Sequence, residues 1–115
     1  MNYAMNVPLR RGIDGDGYVR LFKNMVQQVY AKYQPDAIVI QCGADSLAHD
    51  ELGEFNLTIE HHAECLKIAQ KLGKPLLVLG GGGYTIANVA RCWTYETAAL
   101  LGLNLADDIP ITEFR

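Results

Sequence analysis

Pro75-Leu76-Leu77-Val78-Leu79-Gly80-Gly81-Gly82-Gly83-Tyr84 is the stretch that decides the fold. Pro75 to Leu79 is apolar without alternation, the pattern of a strand buried on both faces, and the glycines after it allow a sharp turn. Upstream, Ala37-Ile38-Val39-Ile40 repeats the pattern behind Pro35, and a loop of small and polar residues runs from Gly43 to Phe55. Between the two strands, Thr58 caps a helix with Ile59, Ala63, Leu66, Ala69 and Leu72 at helical spacing, and Gly73 ends it.

Working outward, residues 18–33 place Leu21, Phe22, Met25, Val26, Val29 and Tyr30 on one helical stripe, after a Gly-rich turn at Asp14 to Gly17. A third helix spans Ile86 to Leu101, with Val89, Ala90, Trp93, Thr97 and Leu100 inward. The first ten residues read as a strand entered part-way and the last ten as an exit loop. Strand and helix in alternation predict an α/β fold, part of an open, mostly parallel sheet covered by helices. The functional crevice of such a sheet lies beyond the carboxyl ends of its strands, where the Cys42–Phe55 and Gly80–Tyr84 loops emerge.

Composition sets the bounds. The chain has 115 residues, 50% hydrophobic and 20% charged, which suits one globular domain or part of one. A net charge of -3 offers no basic face for phosphate neutralisation, so direct nucleic-acid binding is disfavoured. Cys42, Cys65 and Cys92 are odd in number and far apart, which suits a reducing compartment rather than a disulfide framework. No apolar stretch is long enough to cross a bilayer, and the N-terminal residues lack the pattern of a secretory signal.

Four consecutive glycines exceed what a plain turn needs, and their entropic cost favours a function over slack. The residues that follow, Tyr84-Thr85, rule out a Walker phosphate loop, which ends in Gly-Lys-Ser/Thr. A dinucleotide site is a weak competitor, because Thr85 takes the place of its third glycine. On the other loop stand Asp45, His49 and Asp50. Asp45 is the carboxylate nearest a strand end, whereas Asp50 is expected near the loop surface or in a supporting hydrogen bond. One loop cannot supply the three or four ligands of a metal centre, so any metal must share ligands with another part of the protein. His61 and His62 are adjacent on a helix, about 100° apart, and read as two ordinary helix histidines. Trp93 and Tyr95 read as core.

Four segments name a family. Gln41-Cys42-Gly43-Ala44-Asp45-Ser46-Leu47, Phe55-Asn56-Leu57-Thr58, Leu79 to Thr85 and Asn88 to Thr97 together resemble class I histone deacetylases over nearly the whole chain. The resemblance implies an arginase/deacetylase-like sheet and zinc-dependent hydrolysis of N-acetyl-lysine on histone tails. It makes Asp45 the last of three Zn²⁺ ligands, the other two lying upstream, and Tyr84 the donor of a hydrogen bond to the substrate carbonyl. Gly82 and Gly83 become the lining of the lysine channel, and Leu52 an apolar residue beside it. Tyr3 corresponds to a residue near a structural K⁺ site.

The chain is accordingly expected to be the C-terminal portion of a single catalytic domain, inactive by itself because the upstream ligands and a catalytic His-His pair are missing. The alternative is a non-catalytic remnant that binds acetylated peptide or a partner protein. An acetylated histone tail, a corepressor complex and a nuclear location, with the cytoplasm as a second compartment, also follow from the resemblance. Glu51 and Ala87 stand where the family has two arginines that help hold an inositol phosphate, and Arg11 where it usually has an acid.

Overall fold

Asp14 accepts a hydrogen bond from the Gly17 backbone N–H at 2.7 Å and so caps helix α1, Gly15–Tyr33. The computed structural model describes residues 3–109, and in it α1 is followed by strand β1 (Ile38–Gln41), a 3₁₀ turn (Ala44–Ser46), α2 (Ile59–Gln70), β2 (Leu76–Leu79) and α3 (Ile86–Leu101). The glycines expected in a turn before α1 are therefore inside it. Gly15 is buried at the contact with α2, where a Cβ would strike the His61 ring, so a helix-weakening residue is tolerated for the approach it permits. Gln34 ends the helix in the left-handed region at φ 49, ahead of Pro35.

β1 and β2 pair in parallel, Ile38 opposite Leu76 and Gln41 opposite Leu79. This is the α/β arrangement read from the sequence, with the crossover through α2. Burial on both faces is corrected. Ile38, Ile40, Leu76 and Val78 are half-buried, but the alternate residues Val39, Gln41, Leu77 and Leu79 are exposed, Val39 by 64%. The apolar strands have a cover for only one face within the described residues, although their composition suits two.

α2 begins where expected and buries Ala63, Leu66 and Ala69, joined by His62 and Cys65. α3 has the expected bounds, but its buried stripe is rotated. Cys92, Glu96 and Ala98 are buried, whereas Ala90 and Thr97 are exposed. A charged residue on the inner stripe departs from the expectation, because Glu is seldom buried without a partner. The expected N-terminal strand is absent from residues 3–10, which have no strand partner among the described residues. Of the expected exit loop, residues 110–115 lie outside the described residues.

Ala44, Leu47 and Cys92 form the core cluster, with Ile59, Val89 and Trp93 packed on it. The core thus joins the 3₁₀ turn, which also carries Asp45, to α2 and α3. No helix among the described residues is long and apolar enough to cross a membrane.

Candidate active site

The parallel ladder does not stop at the strand ends. The Cys42 N–H donates to the Leu79 carbonyl at 2.8 Å, and the Ala44 N–H to the Gly82 carbonyl at 2.7 Å. The two loops are zipped side by side, and Asp45, one residue on, lies against the glycine run. A Cβ at Gly82 would collide with Asp45 Oδ2, and one at Gly43 would lie 2.8 Å from Asp45 Oδ1. Gly83 has φ +140, and a Cβ there would meet the Ala44 side chain at 3.0 Å. The glycines are therefore required by close approach, which accounts for a run longer than a turn needs.

Asp45 is half-buried, yet its carboxylate accepts no hydrogen bond and pairs with no cation among the described residues. A carboxylate left with free lone pairs at the mouth of a crevice has the chemistry of a metal ligand, and zinc accepts such oxygens. It provides one corner only. Tyr84 is 46% exposed, and its phenol makes no hydrogen bond among the described residues, so the O–H is free to donate.

Asp50 ties the loops together. Oδ1 accepts from the Leu52 and Gly53 N–H groups, both at 2.9 Å, and Oδ2 from the Tyr84 and Thr85 N–H groups at 2.8 and 3.4 Å. Partial desolvation pulls its pKa upward, but the four backbone donors together outweigh it and hold the carboxyl below its ordinary range. Asp45, Leu52, Gly82, Gly83 and Tyr84 are thus gathered at one end of the strand pair. Leu52 is 68% exposed. Tyr3, 89% exposed, is tied to none of them, and by itself it offers no cage of oxygens for K⁺.

The adjacent histidines do separate structural work. His61 Nδ1 accepts from the Thr58 backbone N–H at 3.1 Å, completing the start of α2, and its Nε2 lies 3.5 Å from Asp16. His62 is buried, with Nε2 2.6 Å from Ser46 Oγ and Nδ1 3.0 Å from Glu96 Oε1. The Ser46 hydroxyl lies 3.2 Å from the Gly43 carbonyl, so a hydrogen-bonded chain runs from α3 through α2 to the turn that carries Asp45. His62, buried between Ser46 and Glu96, departs from the ordinary helix histidine expected, whereas His61 caps its own helix. The sequence does hold a sign of His62, which precedes Leu66 by four residues and so shares the inner stripe of α2. Glu96 gives the weaker sign of standing four residues after Cys92.

His62, Cys92 and Glu96 place their donor atoms within 4.8 Å of one another. Both ring nitrogens of His62 are already engaged by Ser46 and Glu96, and every buried side-chain polar atom has a partner among the described residues. Hydrogen bonding accounts for this cluster in full. The three cysteines are free and buried, and burial pushes each thiol up to about 12, assisted by the charge of Glu96 at Cys42 and Cys92 and mainly by that of Glu64 at Cys65. They are core residues rather than nucleophiles.

The fold and this site define a class, an α/β protein whose two strand-end loops, hydrogen-bonded to each other, carry an unpartnered carboxylate and an exposed tyrosine. Comparison with known families goes further: residues 1–100 match the histone deacetylase domain, and the chain belongs to that family. It is 57% identical over 112 residues to histone deacetylase 9 of Arabidopsis thaliana, a match covering 97% of this chain and 26% of that protein. It is 52% identical over 112 residues to histone deacetylase 6 of the same plant, covering 97% and 24%. The chain therefore spans about a quarter of the length of the curated relatives it matches.

Proposed function

We propose that these residues form one part of the active site of a zinc-dependent, class I-type histone deacetylase, the C-terminal portion of a single catalytic domain. The observation that carries this is the pair of zipped loops, one bearing an unpartnered carboxylate, Asp45, in close contact with Gly82, and the other ending in an exposed tyrosine with a free hydroxyl, Tyr84. Family membership supports hydrolysis of the deacetylase type.

Asp45 would hold Zn²⁺ together with ligands supplied outside these residues. Zinc bound there supplies a Lewis acid and makes water a stronger nucleophile near neutral pH. Gly82 and Gly83 would present bare backbone to the alkyl stem of acetyl-lysine, the space of their missing side chains being taken by Asp45 and Ala44, and exposed Leu52 would give it an apolar contact. The Tyr84 O–H donates to the acetyl carbonyl oxygen as negative charge builds on it, a donor aimed at the transition state. Alone, the chain offers one carboxylate, and it is expected to hold zinc weakly and to hydrolyse nothing. An acetylated histone tail as substrate, a corepressor complex as partner and a nuclear site of action belong to the same proposal.

The test is a graft of this chain in place of the matched segment of full-length Arabidopsis histone deacetylase 9, assayed on acetyl-lysine peptide. Turnover in the graft is expected, with Tyr84→Phe lowering it by about two to three orders of magnitude at unchanged zinc content. A folded, zinc-loaded graft without turnover, beside an active parent, would overturn the proposal.

A further inference from the structure

Tyr84 sits just before α3, at the end of a glycine run that by itself favours no single backbone conformation, and no hydrogen bond to its phenol among the described residues fixes its direction. What holds its backbone is Asp50. One carboxylate oxygen takes the Tyr84 and Thr85 N–H groups and the other takes those of Leu52 and Gly53, so a single side chain spans both loops. The Thr85 hydroxyl donates to the His49 carbonyl at 3.0 Å, a second tie at the same seam. Gly53 in turn lies so close to the Asp45 backbone carbonyl that a Cβ there could not be accommodated. Asp50 has no cationic partner among the described residues, and its charge is met by backbone dipoles alone.

We propose that Asp50 is a positioning residue, which acts on turnover by fixing the backbone of Tyr84 against the Leu52–Gly53 rim and leaves the metal site alone. This rests on the reading of Tyr84 as the hydrogen-bond donor to the substrate. Asparagine has nearly the same shape as aspartate, but it retains one acceptor oxygen and turns an NH₂ donor towards one pair of N–H groups. In Asp50→Asn half of the clamp becomes repulsive, and displacement of a catalytic group by about 1 Å can cost on the order of a hundredfold in rate.

The experiment measures kcat, KM and zinc content in the full-length graft for Asp50→Asn, Tyr84→Phe and the double variant. Asp50→Asn is expected to lower kcat by about tenfold to a hundredfold, with KM changed much less and zinc retained. Because Asp50 acts through Tyr84, the double variant should be no slower than Tyr84→Phe by more than about twofold, whereas independent effects would multiply. Normal kcat in Asp50→Asn beside a crippled Tyr84→Phe would overturn the positioning role alone, and so would a multiplicative loss or the loss of zinc. Normal kcat in Tyr84→Phe would instead remove the reading on which the role rests. Should Asp50→Asn not fold, hydrogen exchange in the unmutated graft decides. Protection of the Tyr84 amide together with those of Leu52 and Gly53 supports the clamp, and free exchange at Tyr84 contradicts it.

Discussion

Gly82 and Asp45 can be read as one unit, because the glycine's missing side chain is the space the carboxylate occupies. In the full-length graft, Gly82→Ala should displace Asp45 and depress zinc content and turnover together, while Gly73→Ala, where a Cβ meets nothing and the positive φ of +72 costs stability alone, should spare zinc and turnover. Zinc retained in Gly82→Ala would show that the carboxylate has another place to go. The cysteines make a second case at this scale. With thiols pushed up to about 12, only about one in ten thousand is ionised at pH 8, so alkylation of the folded chain should be slow and become fast on adding denaturant. Because the folded values lie above the unfolded value of ~8.5, this contribution to stability is fully present below that pH. It is lost as pH rises towards 12, and alkaline unfolding measured by circular dichroism should show the decline.

The Ser46–His62–Glu96 chain acts between elements, locking α2 and α3 to the turn under Asp45. Removing His62 leaves a buried carboxylate without its partner, so His62→Leu is expected to destabilise the protein by about 3–5 kcal/mol in urea unfolding. Replacing both residues, as in His62→Leu/Glu96→Leu, should cost less than the single change, because no buried charge is then stranded. A double variant weaker than the single one would contradict this account. The same cluster shows where sequence reading reaches its limit. Periodicity locates α2, α3 and both strands to within a residue or two, and a place just past a strand end is enough to distinguish Asp45 from the other carboxylates of its loop. What periodicity cannot show is a polar pair completed across elements. His62 and Glu96 are 34 residues apart, and although spacing puts each on an inner stripe, it does not show that the two satisfy each other there. Two-sided burial of the strands fails for the opposite reason, since composition reports the environment a strand suits and not which of its covers these residues contain. Asp50 reads as a supporting residue from its distance to the strand end, but its reach to Tyr84 depends on loops that meet only in three dimensions.

For the molecule as a whole, the chain presents two zipped loops over a core shared by α2 and α3, and an apolar sheet face that these residues leave uncovered. Glu51 and Ala87 are both exposed and carry no positive charge, so inositol phosphates should not stimulate the grafted enzyme. Dose-dependent stimulation would show that other residues build such a site. In the proposed site Asp45 is the metal-ligating carboxylate, and Asp50, on the same loop, is not. Zinc per protein, measured on folded, full-length grafts carrying Asp45→Asn or Asp50→Asn, tests it most directly. Zinc lost from Asp45→Asn and kept by Asp50→Asn is the expected result, and zinc kept without the Asp45 charge but lost without that of Asp50 would contradict the account.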